Sequence, residues 1–248
     1  VFGALVGAGI FAILGIKYAF ALVTGVYFLA FLLSLGVTNI HHNEIIKISP
    51  NSQWGDFKNG LVYIWSMPTV LAIMWLAFLV NLTAFPIIRG LLPYVAKEIY
   101  LINEVGLGNM IATFSIGALI GSTIIALAGK RTHSTKFMLI NIILWYVMLI
   151  IFASIDSEIN GLIALFVMGV VHALGMVSMS VILIRHLEKN IRGRVIGIRT
   201  LAIYGVPIGL MGTGYLIDII GFQDTVNLYV TIGIILTSAI WFRWRQAL

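Results

Sequence analysis

FMLINIILWYVMLIIFAS, residues 137–154, runs for 18 residues without a charged side chain, between Lys136 and Asp156. At about 1.5 Å of rise per residue such a run is about 27 Å long as an α-helix, close to the thickness of a bilayer's hydrocarbon core. Backbone groups in that core have no water to bond with, so a spanning segment must close its own hydrogen bonds. Helix is the conformation that does so, and the alternation expected of membrane strands is absent. Working outward, seven more apolar runs occupy residues 1–14, 18–37, 69–92, 107–128, 160–184, 195–217 and 226–241. The fold class predicted is therefore all-α and integral to the membrane, a polytopic helical bundle crossing the bilayer many times.

Composition excludes the alternatives. Hydrophobic residues make up 60% of the chain and charged residues 10%, whereas soluble domains carry about a quarter charged. The net charge of +6 is not gathered into a basic domain but lies at the ends of the apolar runs, so nucleic acid is not an expected partner. With no cysteine there is no thiolate nucleophile and no zinc–thiolate site, and neither a metal nor a cofactor is expected. Motifs of hydrolases, metalloproteases and nucleotide-binding loops are missing, so no catalytic residue is assigned. His41 and His42 are adjacent, diverge on a helix and lack further ligands nearby; they are read as a polar loop. The chain opens at Val1 inside an apolar run, and is expected to be the C-terminal part of a longer protein.

Charge sets direction. One set of loops and ends holds Lys47, Lys58, Lys130, Arg131, Lys136, Arg185, Lys189, Arg192, Arg194, Arg243 and Arg245, against Glu44, Asp56 and Glu188. The other holds Lys17 and Lys97, against Glu98, Glu104, Asp156, Glu158, Asp218 and Asp224. The basic side is predicted to be cytoplasmic, with the C-terminus inside. Glycine separates the runs: 137–154 has none and 226–241 has one, while Gly117, Gly121, Gly205 and Gly209 mark runs whose backbones can approach a neighbour. On that pattern the fifth and eighth runs are expected to be peripheral, and the fourth and seventh packed inside.

Two distant segments read alike. Residues 7–16 (GAGIFAILGI) match 212–222 (GTGYLIDIIGF) with one insertion, each closing a run with a glycine turn. A repeat about 200 residues apart, both copies running the same way, suggests parallel halves of a transporter. Phe57-Lys58-Asn59-Gly60-Leu61-Val62-Tyr63-Ile64 followed by Pro68, Gly117-Ala118-Leu119-Ile120-Gly121, and Arg192-Gly193-Arg194-Val195 add to this. In their order and loop positions they resemble the major facilitator superfamily, and within it the enterobactin-exporter-like and macrolide-efflux-like branch. The resemblance implies part of a 12-helix major facilitator fold, helices five to twelve, with helices one to four preceding Val1 as the partner bundle. Residues 1–38 would then be the last helices of the N-terminal bundle. Residues 39–68 would be a cytoplasmic linker with an amphipathic helix, and 69–248 the C-terminal six-helix bundle. The loop Ala128-Gly129-Lys130-Arg131-Thr132-His133 departs from the superfamily's loop motif in lacking its acidic residue.

Candidate functional residues follow. The resemblance places the third, fourth, sixth and seventh runs around a central cavity, giving Trp75, Asn81, Thr113, Ser115, His172, Met176, Thr200 and Tyr204 as a substrate pathway. Their polar groups would orient a substrate, and Met and aromatic side chains would give adaptable apolar contact. Arg192 and Arg194 are read as a conformational latch or as an anchor at the helix ends. Arg89 and Arg199 are intramembrane charges able to reach headgroups. His172, near mid-span on a short side chain, cannot do so and titrates in the ordinary range nearest neutrality. All nine acidic residues fall in loops or at run ends, so proton coupling must use His172 or an acid in the preceding helices. The function expected is a secondary active transporter of the cell membrane, exporting a small amphipathic molecule, drug- or siderophore-like, by alternating access with protons. Its partners would be that small-molecule substrate, the lipid bilayer and protons. The alternatives are a truncated membrane fragment that transports nothing and an integral-membrane lipid-handling enzyme.

Overall fold

The computed structural model describes residues 16–36, 53–128 and 134–246, and every regular element in them is helical. The elements are α1 (Ile16–Leu35), α2 (Gln53–Ser66), α3 (Pro68–Thr83), α4 (Phe85–Gly90), α5 (Glu104–Ala128), α6 (Thr135–Ala153), α7 (Glu158–His186), α8 (Arg192–Thr200), α9 (Gly205–Ile220) and α10 (Phe222–Trp244). A turn at Leu92–Tyr94 and a wide turn at Val95–Ile99 follow α4, and a 3-10 turn, Leu201–Tyr204, joins α8 to α9. The run at 1–14, the first copy of the glycine repeat, His41 and His42, and the loop at 129–133 lie outside the described residues, as does most of the linker before α2.

Among the described residues six helical stretches are long and apolar enough to cross a bilayer, and the bent pair Phe57–Ser66 and Pro68–Thr83 makes a seventh if it counts as one span. The chain is a multi-pass membrane protein. The 109° bend has a local cause. Pro68 takes the first helical turn, where its missing N–H is no loss, and forces Met67 before it into extended backbone. Helix α2 thus lies across the start of α3, packing Gly60 against Ile198 and Arg194 of α8 and burying Ile64. Leu61 and Trp65, at helical spacing from Ile64, are more exposed and border an apolar crevice with Trp75 and Phe78.

Two of the predicted continuous spans are broken by proline. In 69–92, α3 ends at Thr83 and α4 begins at Phe85, because Pro86 has no N–H for the Leu82 carbonyl. In 195–217, the 3-10 turn Leu201–Tyr204 sits where Pro207 removes the bond to Ile203. Other ends have their own chemistry. Ser134 caps α6 by accepting from Phe137 N–H at 3.1 Å, and Asn103 accepts from Gly106 N–H at the start of α5. Gly221, at φ +82°, makes the corner between α9 and α10, a conformation that costs a side-chain-bearing residue. Leu101 adopts φ +54° without that freedom. Beside it Tyr100 packs on Gly161, and burial together with the Asp156 carboxylate pushes its phenol up to about 12.

Packing follows the glycines where backbones meet. A Cβ on Gly117 would overlap the Phe166 carbonyl oxygen, one on Gly121 the Val170 oxygen, and one on Gly169 the Phe114 oxygen. Small residues on both α5 and α7 therefore let these helices make the most extensive contact in the bundle. Gly205 and Gly209 do the same for α9 against α3, with Gly209 seated on the Leu82 oxygen that Pro86 leaves unbonded.

The expected ranking of spans by burial is overturned at the fifth. Helix α6 is the most buried of the spans, with Ile142, Trp145, Tyr146 and Leu149 at 0% exposure. Its bulky side chains fill the space between α7 and α10, so they need no close backbone contact. The seventh run, α8 to α9, is instead less buried than every span but α1, and buries only Val195 and its glycine stripe with Thr213. Glycine marks one contacting face and says nothing of the other. Helix α1 has no buried side chain among those described.

Candidate functional site

A cavity of about 360 Å³ opens at mid-bundle between α3–α4, α7 and the α8–α9 break. Each wall brings one periodic face. On α3 and α4, Ala77, Asn81, Phe85 and Arg89 follow one another at four-residue spacing and line it together. The Asn81 amide donates to Ala77 O at 2.8 Å, which ties the side chain to its own helix and leaves its oxygen for the cavity. The Arg89 guanidinium lies 4.3 Å from the centre of the Phe85 ring, a cation–π stack.

His172, Met176 and Met179 come from α7. The imidazole sits in an aromatic cage: Trp145 at 4.6 Å, Phe114 at 5.3 Å and Phe85 at 5.4 Å between ring centres. Both of its ring nitrogens are buried without a hydrogen-bond partner, as is the indole N–H of Trp145. Such groups are ordinarily matched, and leaving one unmatched costs on the order of 1–3 kcal/mol. The charge of Arg89 reaches the imidazole. From the third wall Arg199 donates to Ser180 Oγ at 3.0 Å, while Ser180 in turn donates to Met176 O. Thr200 lines the cavity beside it and donates to Ile196 O.

Of the eight residues expected along a substrate pathway, Asn81, His172, Met176 and Thr200 share this cavity. Trp75 does not; it borders two apolar crevices, with Phe78 in both. Thr113 and Ser115 are also elsewhere, Ser115 being bonded back to Ile111 O at 2.7 Å, and Tyr204 is exposed at the end of the 3-10 turn. Arg89 and Arg199, expected at least in part to reach headgroups, line the cavity. Phe85, Met179 and Ser180 were missed, although the helical spacings Asn81–Phe85–Arg89 and His172–Met176–Met179–Ser180 mark both faces in the sequence. Trp145 carries no such signal, because α6 lacks the glycines that mark an inward-packed helix.

Outside the cavity, Arg192 donates to Ile184 O at 3.2 Å and Leu187 O at 3.5 Å, closing the end of α7 over the turn to α8. Arg194 stands on the α8 face that meets α2 at Gly60. Among the described residues no cluster of His, Asp and Glu side chains could hold a metal ion.

A sequence-family model described as Major Facilitator Superfamily matches residues 74–247, well over half of the chain. The match takes in every helix of the cavity and α5, α6 and α10 besides. No curated protein and no solved structure matches the chain.

Proposed function

Since the chain belongs to the major facilitator superfamily of membrane transporters, we propose that it is a secondary active transporter, moving a small amphipathic molecule of drug or siderophore type outward by alternating access. The observation that carries this reading is the mid-bundle cavity, where Asn81, Arg89, His172, Arg199 and Thr200 put polar groups at the depth of an otherwise apolar bundle. Polar side chains at that depth are costly and mark a pathway. Methionine and aromatic surface around them gives a non-polar scaffold room to settle.

In this reading Arg192, Arg194 and the basic residues grouped with them by the charge bias face the cytoplasm, as does the C-terminus, and the membrane is the cell membrane. Helices preceding Val1 supply the opposite half of the cavity. The Arg192 clamp on Ile184 O and Leu187 O belongs to one transport state and lets go in the other. Protons drive the cycle, by way of an acid in those preceding helices in preference to His172.

Proteoliposomes holding the full-length protein test this with a panel of fluorescent amphipathic molecules under an imposed pH gradient. Gradient-dependent movement that a protonophore abolishes is expected for at least one of them. No movement of any member by a folded protein rejects the transporter reading, and movement indifferent to the protonophore rejects proton coupling. In the same assay His172→Gln should leave the pH dependence of transport in place whatever it does to the rate; loss of the pH dependence would assign the proton to His172.

A further inference from the structure

The cavity contains two guanidinium groups and no carboxylate. Arg89 enters from α4 and Arg199 from α8, and the acidic residues described lie at helix ends or in turns away from it. Neither arginine has a carboxylate partner among the described residues; Arg89 rests on a phenylalanine ring and Arg199 on a serine hydroxyl. A guanidinium carries five N–H donors, and the Ser180 bond uses one of them. What these contacts do is fix each group's position. The Phe85 face holds one group and Ser180 the other, and both line the same cavity. His172 lines the same cavity from α7, with both ring nitrogens buried and without a partner. An uncompensated charge in a low-dielectric bundle is expensive, and two of the same sign together are more so. Forked donors match an oxyanion better than any other common group.

We propose that this cavity is a binding site for the acid group of an amphipathic anion, with Arg89 and Arg199 holding the oxyanion and the Phe85–Met176–Met179 surface taking the apolar part. The inference rests on the transport reading for the cavity's role and narrows its substrate class from amphipathic molecules in general to amphipathic acids.

The test uses two probes with one skeleton: 8-anilinonaphthalene-1-sulfonate, an anion, and N-phenyl-1-naphthylamine, which is neutral. Binding of both to the full-length protein is measured by fluorescence in phosphatidylcholine vesicles, for wild type and for Arg89→Gln, Arg199→Gln and Arg199→Lys. Wild type should prefer the sulfonate. Each glutamine variant should lose about tenfold or more of sulfonate affinity, the scale of a charge-assisted fork, while naphthylamine affinity stays level and shows that the variant is folded. Arg199→Lys should keep part of the preference, since the charge remains and the fork does not. Adding phosphatidylglycerol distinguishes two sources of the anion: displacement of the sulfonate assigns the site to a lipid headgroup, and indifference assigns it to a soluble amphipathic acid. Equal binding of both probes to wild type, or glutamine variants with an unaltered ratio, overturns the proposal and places a carboxylate partner for the arginines in the preceding helices. That outcome leaves transport of the neutral probe intact. If the charge preference is present but neither probe moves under a gradient, the transport reading fails and the anion site stands.

Discussion

Replacing Gly169 by alanine should loosen the bundle more than any other single methyl added to α7. The new Cβ would stand 2.9 Å from Ala118 N and 3.0 Å from Phe114 C, and would overlap the Phe114 carbonyl oxygen. Non-bonded atoms settle about 3.5–4.0 Å apart, so α5 and α7 must separate by roughly 0.5–1 Å at this crossing. All three neighbours are backbone atoms, so no change of rotamer relieves them. Separation here also withdraws Gly117 from Phe166 and Gly121 from Val170 along the same seam. Overpacking of this kind costs about 1–3 kcal/mol, and a backbone clash belongs at the upper end. Alanine's better helix propensity returns about 1 kcal/mol, which leaves a net loss of about 2 kcal/mol. Gly214→Ala in α9 is the matched control, because no atom lies within 4 Å of the added methyl. It should keep the propensity gain, and the two variants should differ by about 3 kcal/mol. Equilibrium unfolding of the purified chain in mixed micelles with rising dodecyl sulfate, followed by circular dichroism, measures the difference. If Gly169→Ala unfolds at the same midpoint as Gly214→Ala, or later, the close crossing of α5 and α7 is not a feature of the molecule.

Three further outcomes are expected. Tyr146→Phe removes a buried 2.7 Å bond to Thr83 Oγ1, but Thr83 goes on donating to Leu79 O, so the loss in the same unfolding assay should be about 1 kcal/mol. Leu101→Gly should stabilise the chain by about 1 kcal/mol, since it relieves a left-handed backbone at a side chain that is 82% exposed and packs on little. In intact cells a membrane-impermeant maleimide should label a cysteine replacing Asp156, and should reach one replacing Arg245 only after the membrane is opened; the reverse pattern inverts the topology.

Hydropathy alone locates the membrane-crossing stretches, because the length needed to traverse hydrocarbon is a one-dimensional property. Described helices and predicted runs agree to within a few residues at most ends, as with 107–128 against Glu104–Ala128 and 137–154 against Thr135–Ala153. Depth within the bundle is another matter. In water, apolar composition reports burial; in lipid every face is apolar, and Trp145 at 0% exposure has the same sequence character as Leu127 at 82%. Glycine count was used in its place, and it misjudged α6, whose interface is built from large side chains. For the site, four of the eight pathway residues share the cavity because helical periodicity holds on each wall taken singly. Which wall meets which depends on the rotation of each helix about its axis, and that is fixed by Gly205, Gly209 and Gly169 meeting particular carbonyls.

Pro86 and Pro207 have a mechanical consequence. A helix bends most readily where its ladder lacks a rung, and each proline removes one: at Leu82 in the first wall and at Ile203 in the second. The opposite wall, α7, runs for 29 residues without a proline. The vestibule is thus framed by two jointed staves and one stiff one, with the joints near the level of the arginines. Flexing concentrated there moves Arg89 relative to Asn81, and Arg199 relative to the glycine seam of α9, while α7 and His172 stay still. In the transport cycle we propose, such a frame would widen at one mouth as it narrows at the other, so that the chamber's floor and ceiling would exchange roles without any helix having to unwind.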